Sequence, residues 1–177
     1  GKLCEIFCPT DVRKIVIGFD TFEGFPSLGA EDGPVDVHND VRVGGYYGGA
    51  SVERDLDLAA EAMRHDKHIR HINRVEFIKG DAVTTIPKFV NAKGAGFRIA
   101  LLNLDLDLYE PTKVALEQFV PRMARGGMII VDEYAVDTFS GETKAVDEYF
   151  TRHFGKKPRV VKFPWHSNPT GFIEVDW

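Results

Sequence analysis

Four carboxylates gather in one part of this chain, in the patterns LNLDLDLYEP and GGMIIVDEY. Asp105 and Asp107 follow an apolar run that starts at Ile99, and Asp132 and Glu133 follow a second run, Met128 to Val131. Side chains two apart on an extended chain point the same way, so Asp105 and Asp107 share a side for as long as the strand continues. Crowded carboxylates repel one another. A hard divalent cation held by two or three of them offsets that repulsion and keeps positions free for water or substrate oxygens. The competing reading is that the acids cap helix N-termini and bind nothing.

The elements that must position these acids follow from the apolar pattern. Near-continuous apolar runs mark strands covered on both faces, as in a parallel α/β sheet. Between the runs, Leu116, Phe119, Val120 and Met123 recur at i, i+3, i+4 and i+7, and Pro111 suits a helix's first turn. An amphipathic helix from near Glu110 to the Gly126-Gly127 pair therefore joins the two strands by a right-handed crossover. Ligands in such sheets bind outside the carboxyl ends of the strands, where all four acids fall.

Two earlier strands deliver further groups to that edge. KIVIGF (14–19) ends at Asp20, which is placed either to accept hydrogen bonds from both hydroxyls of a ribose or to cap the TFEGFP turn. VEFI (75–78) ends in Lys79-Gly80-Asp81, where Gly80 lets a ligand approach the backbone and Asp81 also suits the N-cap of the next helix. Residues 27–50 carry six glycines and no sustained periodicity, which predicts a lid or flexible loop. Their GGYYGG segment lacks the lysine and the preceding strand of a phosphate-binding loop.

The remaining signals are structural. Ser51 caps a helix running to Met63, and His65, His68 and His71 are interleaved with Arg and Lys, which makes a solvated basic face rather than a metal site. Cys4 and Cys8 share one face of a short helical segment that Pro9 stops, and read as reduced core-facing thiols. Ser140 caps a last long helix, and 159–163 with 172–175 form a terminal antiparallel hairpin.

At 177 residues the chain has the length of one domain, taken as residues 1–177. A net charge of -5 argues against nucleic acid as the main partner. No apolar window reaches the length of a membrane span and no signal peptide is visible, so neither a membrane partner nor secretion is expected, and cysteine usage fits the cytoplasm.

The segments VIGFDTFEGFP, FIKGDAVTTIP, LNLDLDLYEPTKVALE and GGMIIVDEY lie within a stretch covering most of the chain, roughly residues 3–150. Together they resemble the macrocin O-methyltransferase (TylF-type) family of class I S-adenosylmethionine (SAM)-dependent enzymes, many of which methylate sugar hydroxyls in natural products. The resemblance implies an α/β fold: a Rossmann-like, doubly wound, mostly parallel sheet with a C-terminal antiparallel hairpin. It implies SAM and Mg2+ as cofactors and a small-molecule hydroxyl as acceptor, such as a sugar of a natural product or surface glycan. A homo-oligomer is left open.

By the same resemblance, Asp20 holds the SAM ribose, with Phe22 in the same motif, and Gly80 and Asp81 lie at the adenine side. Asp105, Asp132 and Glu133 match the magnesium ligands, Glu133 standing where the family often has a second Asp. Asp105 and His166, in PWHSNP, are the candidates to take the acceptor's proton. The family's first strand and glycine-rich SAM loop would lie upstream of residue 1, and GKLCEIFCP does not supply them. The expectation is therefore a domain missing its first strand, as a fragment of a longer enzyme. Its rival is a non-catalytic relic of the same fold acting as a structural or partner-binding domain. A metal-dependent hydrolase is a third reading, weakened by the lack of a clear nucleophile.

Overall fold

Short apolar runs alternate with amphipathic segments along the chain, and in a computed structural model they become parallel strands linked by helices. The structure describes residues 14–65, 70–164 and 170–177. In chain order the elements are β1 (Val16–Asp20), α1 (Val52–His65), β2 (Val75–Lys79), α2 (Ala82–Lys93), β3 (Ile99–Leu104), α3 (Tyr109–Phe119), β4 (Met123–Val131), α4 (Ser140–Phe154), β5 (Val161–Lys162) and β6 (Gly171–Glu174).

Strands β3 and β4 pair in parallel, with Leu104 opposite Val131, and β6 then adds antiparallel to β4 and carries β5 on its far side. The expected Rossmann-like sheet with a terminal antiparallel hairpin is borne out. Strands β1 and β2 also pair in parallel, from Val16 opposite Val75 to Asp20 opposite Lys79. Among the described residues no ladder joins β1 to β3, so the two sheets each keep an unpaired edge. Aromatic packing spans the break instead: the Phe19 ring lies 5.4 Å from Phe89 on α2 and 5.7 Å from Phe119 on α3.

The core forms where α3 and α4 cover β3 and β4. Leu104, Leu116, Ile129, Val131 and Val146 are all fully excluded from solvent. By contrast no residue of α1 is buried, and Leu56 and Leu58 on it are exposed among the described residues.

Three local readings shift. Helix α3 ends at Phe119 because Pro121 has no N–H to continue it, and Val120–Arg122 make one 3-10 turn. Met123 consequently opens β4 rather than extending the helical stripe. The Gly126-Gly127 pair then lies inside that strand, beside a register shift between Ile99 and Leu101. A Cβ on Gly127 would meet the Ala124 and Ala100 carbonyl oxygens at 2.8 and 2.9 Å, so the strands approach there only through glycine. Ser140 is the first residue of α4 rather than its cap, and Phe139 precedes it with no side-chain cap bond.

The 27–50 loop has structure of its own. It contains a 3-10 turn, Ala30–Asp32, and an isolated bridge between Asp36 and Val41. Phe25 and Val41 pack with Leu108 and Phe139 in a second, smaller core. His65 is exposed and lies 3.7 Å from Glu61, in keeping with a solvated face; Cys4, Cys8, His68 and His166 lie outside the described residues.

Candidate active site

The register of β1 and β2 sets one end of the site. Asp20 and Lys79 face each other at the strand ends, and the Gly80 amide donates to the Asp20 carbonyl at 2.8 Å. The Asp20 carboxylate accepts the Phe22 amide at 2.6 Å, and Phe22 turns the chain with φ 57. Gly80 has φ +129, a conformation other residues avoid, which brings the chain sharply round to Asp81. Asp81 caps α2 by accepting the Val83 amide at 2.9 Å. Both acids thus serve their turns as alternatives to ligand binding foresaw, and each keeps an oxygen to which no such turn bond is made.

The β3–β4 pair sets the other end. Leu104 lies opposite Val131, and the Asp132 amide donates to the Leu104 carbonyl at 3.2 Å, so Asp105 and Asp132 leave neighbouring strands side by side. One Asp132 oxygen accepts the Thr170 hydroxyl at 2.7 Å. Past Asp105 the chain does not stay extended: Asp107 has φ 60, so the i, i+2 alternation stops at the turn.

A cleft of about 230 Å³ joins the two ends. Asp20, Gly80 and Asp81 line it together with Asp105 and Asp107, and Tyr46 from the 27–50 loop stands at the same cleft. Phe22 is not among the lining residues. A wider open depression of about 860 Å³ runs along α4 and contains none of these acids.

The carboxylates feel one another. Burial, then Asp132 and Asp20, raise the Asp105 carboxyl above the usual range, and burial, Asp132 and Asp105 do the same to Glu133. Asp107 is pushed up to about 7 by burial and by Asp105, Glu133 and Asp132. Positive charge placed among them would relieve this repulsion. All the donors are hard oxygens, which suits magnesium or a similar ion. Among the described residues, however, no three such side chains converge closely enough to hold a metal as they stand. The fit is therefore one of donor chemistry and strand placement, with side-chain rotation still needed.

Two functional-looking acids escaped the sequence. Asp32 is buried and accepts the amides of Gly29 and Tyr109, both at 2.6 Å, so a loop residue supplies the anionic cap that Leu108 cannot give α3. Its other neighbour is Gly141, where a Cβ would stand 2.2 Å from Asp32 Oδ1 and 2.9 Å from the Tyr109 nitrogen. Gly141→Ala should therefore destabilise the fold by about 1–3 kcal/mol through overpacking, read as a lower urea midpoint; an unchanged midpoint would show the contact is looser. Glu142, the next residue, is fully buried and pushed up to about 8 by burial and then by Asp107. A glutamate in a helix's first turn ordinarily reads as a partner for the helix dipole, which hides its inward aim.

With this geometry in hand, the similarities to known proteins take on structural meaning. A rhamnosyl-tetracenomycin 4'-O-methyltransferase of Streptomyces olivaceus is 33% identical over 127 residues, 72% of this chain and 44% of its own length. Mycinamicin III 3''-O-methyltransferase of Micromonospora griseorubida is 30% identical over 145 residues, 81% of this chain and 52% of its own. The chain thus spans about half the length of these curated relatives. A calicheamicin methyltransferase of known structure superposes with a TM-score of 0.85 at 25% identity, over 98% of this chain and 65% of that one. The family model for macrocin O-methyltransferases (TylF) matches residues 10–159, and so embraces both strand pairs and every described acid of the cleft: the chain belongs to the macrocin O-methyltransferase family.

Proposed function

We propose that the protein carrying this chain is a SAM-dependent O-methyltransferase acting on a hydroxyl of a small molecule, most readily a sugar of a natural product or surface glycan. The observation that carries the reading is the single cleft lined at one end by Asp20, Gly80 and Asp81 and at the other by Asp105 and Asp107. The acceptor class is supported by the relatives, one of which is named for methylating a rhamnosyl-tetracenomycin and another for methylating mycinamicin III.

In this reading SAM supplies an electrophilic methyl group, and a magnesium ion supplies the positive charge that orients and acidifies the acceptor hydroxyl. Asp20 binds the ribose hydroxyls, and Gly80 and Asp81 bound the adenine side. Asp105, Asp132 and Glu133 hold the cation, and their shared repulsion is the force that favours it. Proton removal falls to the cleft carboxylates, Asp105 first, with His166 the second candidate. Tyr46 presents an aromatic face braced on Phe25 and Phe139, at 5.3 and 5.9 Å, against which the apolar face of a sugar can pack.

The unpaired edges of β1 and β3 support one more element of the proposal. A further parallel strand between them would complete the sheet, and its following loop would wrap the methionine end of SAM. A cytoplasmic setting and a homo-oligomer remain parts of the same reading; among the described residues no helix is long and apolar enough to cross a membrane.

Calorimetry with S-adenosylhomocysteine and Mg2+ tests this, on the chain and on a version extended upstream. The extended version should bind both, Asp20→Ala should lose the cofactor product, and Asp105→Ala should lose the metal. Binding of neither ligand to either version would leave the non-catalytic relic as the better account.

A further inference from the structure

Glu142 lies in the first turn of α4 and is fully excluded from solvent, yet its Oε1 has no hydrogen-bond partner. A buried carboxyl half without partners costs stability that an apolar side chain of the same size would not. Glutamate at the third position of a helix commonly turns back to the amide of its own N-cap. Here it turns the other way. Its Oε2 accepts the Asp107 amide at 3.2 Å, across 35 positions of sequence. The amides of Leu106 and Glu133 also face this carboxylate and favour its charged form, though only that of Asp107 meets it at full hydrogen-bonding geometry.

Those amides come from the two segments that matter. Leu106 and Asp107 follow β3 and continue directly from Asp105, while Glu133 follows β4 beside Asp132. One side chain from a third element therefore meets the end of β3 by a hydrogen bond and the end of β4 electrostatically. Its own place is fixed, because Gly141 lets the start of α4 close onto Asp32 and the Tyr109 amide with no room for a Cβ.

We propose that Glu142 is a positioning residue for a divalent-cation site: it holds the backbone after β3 and after β4 so that Asp105, Asp132 and Glu133 can rotate their oxygens onto one ion. This rests on the cation reading given under Proposed function. Glu142 does not itself touch the ion; it acts through the amides, as outer carboxylates and carbonyls do for the ligands of many metal sites.

The test is Mn2+ binding to the full chain, followed by the paramagnetic resonance signal of the free ion, for the unchanged protein, Glu142→Gln and Glu142→Asp. Asp keeps the carboxyl and shortens the reach, whereas Gln keeps the reach and cannot ionise. A clamp needs both, so each variant, folded by circular dichroism, should bind Mn2+ about 10–100-fold more weakly. Binding by a folded Asp variant as tight as that of the unchanged chain would show that the reach of Glu142 does not matter and overturn the proposal, and tight binding by the Gln variant would overturn it likewise. No binding by the unchanged chain would overturn the cation reading itself, and this inference with it. Should neither variant fold, 13C-labelled glutamate in the unchanged chain decides: added Mg2+ should shift the Glu142 carboxyl signal together with the Asp107 and Glu133 amides. A Glu142 signal that stays still while those amides move would refute the clamp.

Discussion

Methyl transfer by the upstream-extended protein should fall by about two to three orders of magnitude when Asp105 becomes asparagine, with the fold intact. Metal and carboxylate stabilisation of a developing alkoxide is worth several kcal/mol, and each ~1.4 kcal/mol is a decade in rate. Asparagine keeps the shape of the side chain but removes a charge that Asp132 and Asp20 already oppose. The variant should therefore melt no lower than the parent in metal-free buffer. Lost turnover with an unchanged or higher melting temperature separates a role in the reaction from a role in folding. Turnover within a few-fold of the parent would remove Asp105 from the site.

The largest expected effect on stability is at Leu116. It is fully buried on α3, in the core it shares with Leu104, Ile129 and Val146. Leu116→Ala deletes buried carbon and leaves a cavity that strands and helices can only partly close, at a cost of about 2–5 kcal/mol. Against a total of about 5–15 kcal/mol for a typical domain, that is a substantial fraction. Urea denaturation should show a lower midpoint at similar slope. Leu101 is the internal control: it sits on β3 but is 56% exposed, so Leu101→Ala in this chain should cost about 0.5 kcal/mol or less. Equal costs at the two positions would mean that the core has been drawn in the wrong place.

The acids at the strand ends were legible because they sit next to uninterrupted apolar runs, and Ile99–Leu104 is a strand with the bounds its composition suggests. The family was legible for a related reason: its motifs are the strand ends themselves. The end of α3 was less so, since Met123 fits the helical stripe and only the backbone chemistry of Pro121 moves it into β4. Asp32 and Glu142 were not legible at all. Each meets a distant amide across dozens of residues, 77 for Asp32 to Tyr109 and 35 for Glu142 to Asp107, and no local pattern encodes where a loop or a helix start will dock. The glycine-rich loop shows the same limit, because the packing of Phe25 and Val41 with Leu108 and Phe139 depends on partners far along the chain.

The division of the strands into two ladders bears on how the molecule opens. Strands β1 and β2 hold each other, and Phe19 is their aromatic link to α2 and α3. In this chain such a pair is expected to open as a unit at a lower free energy than global unfolding, until the further strand proposed above joins the two ladders. Asp20 and Gly80 travel with that unit, while Asp105 and Asp132 stay with the stronger ladder of β3 and β4. A ligand that touches both ends of the cleft thus bridges two foldons, and part of its binding free energy goes into suppressing the excursions of the weaker one. Occupancy and local order are then a single equilibrium, and the ligand completes the folding of its own site.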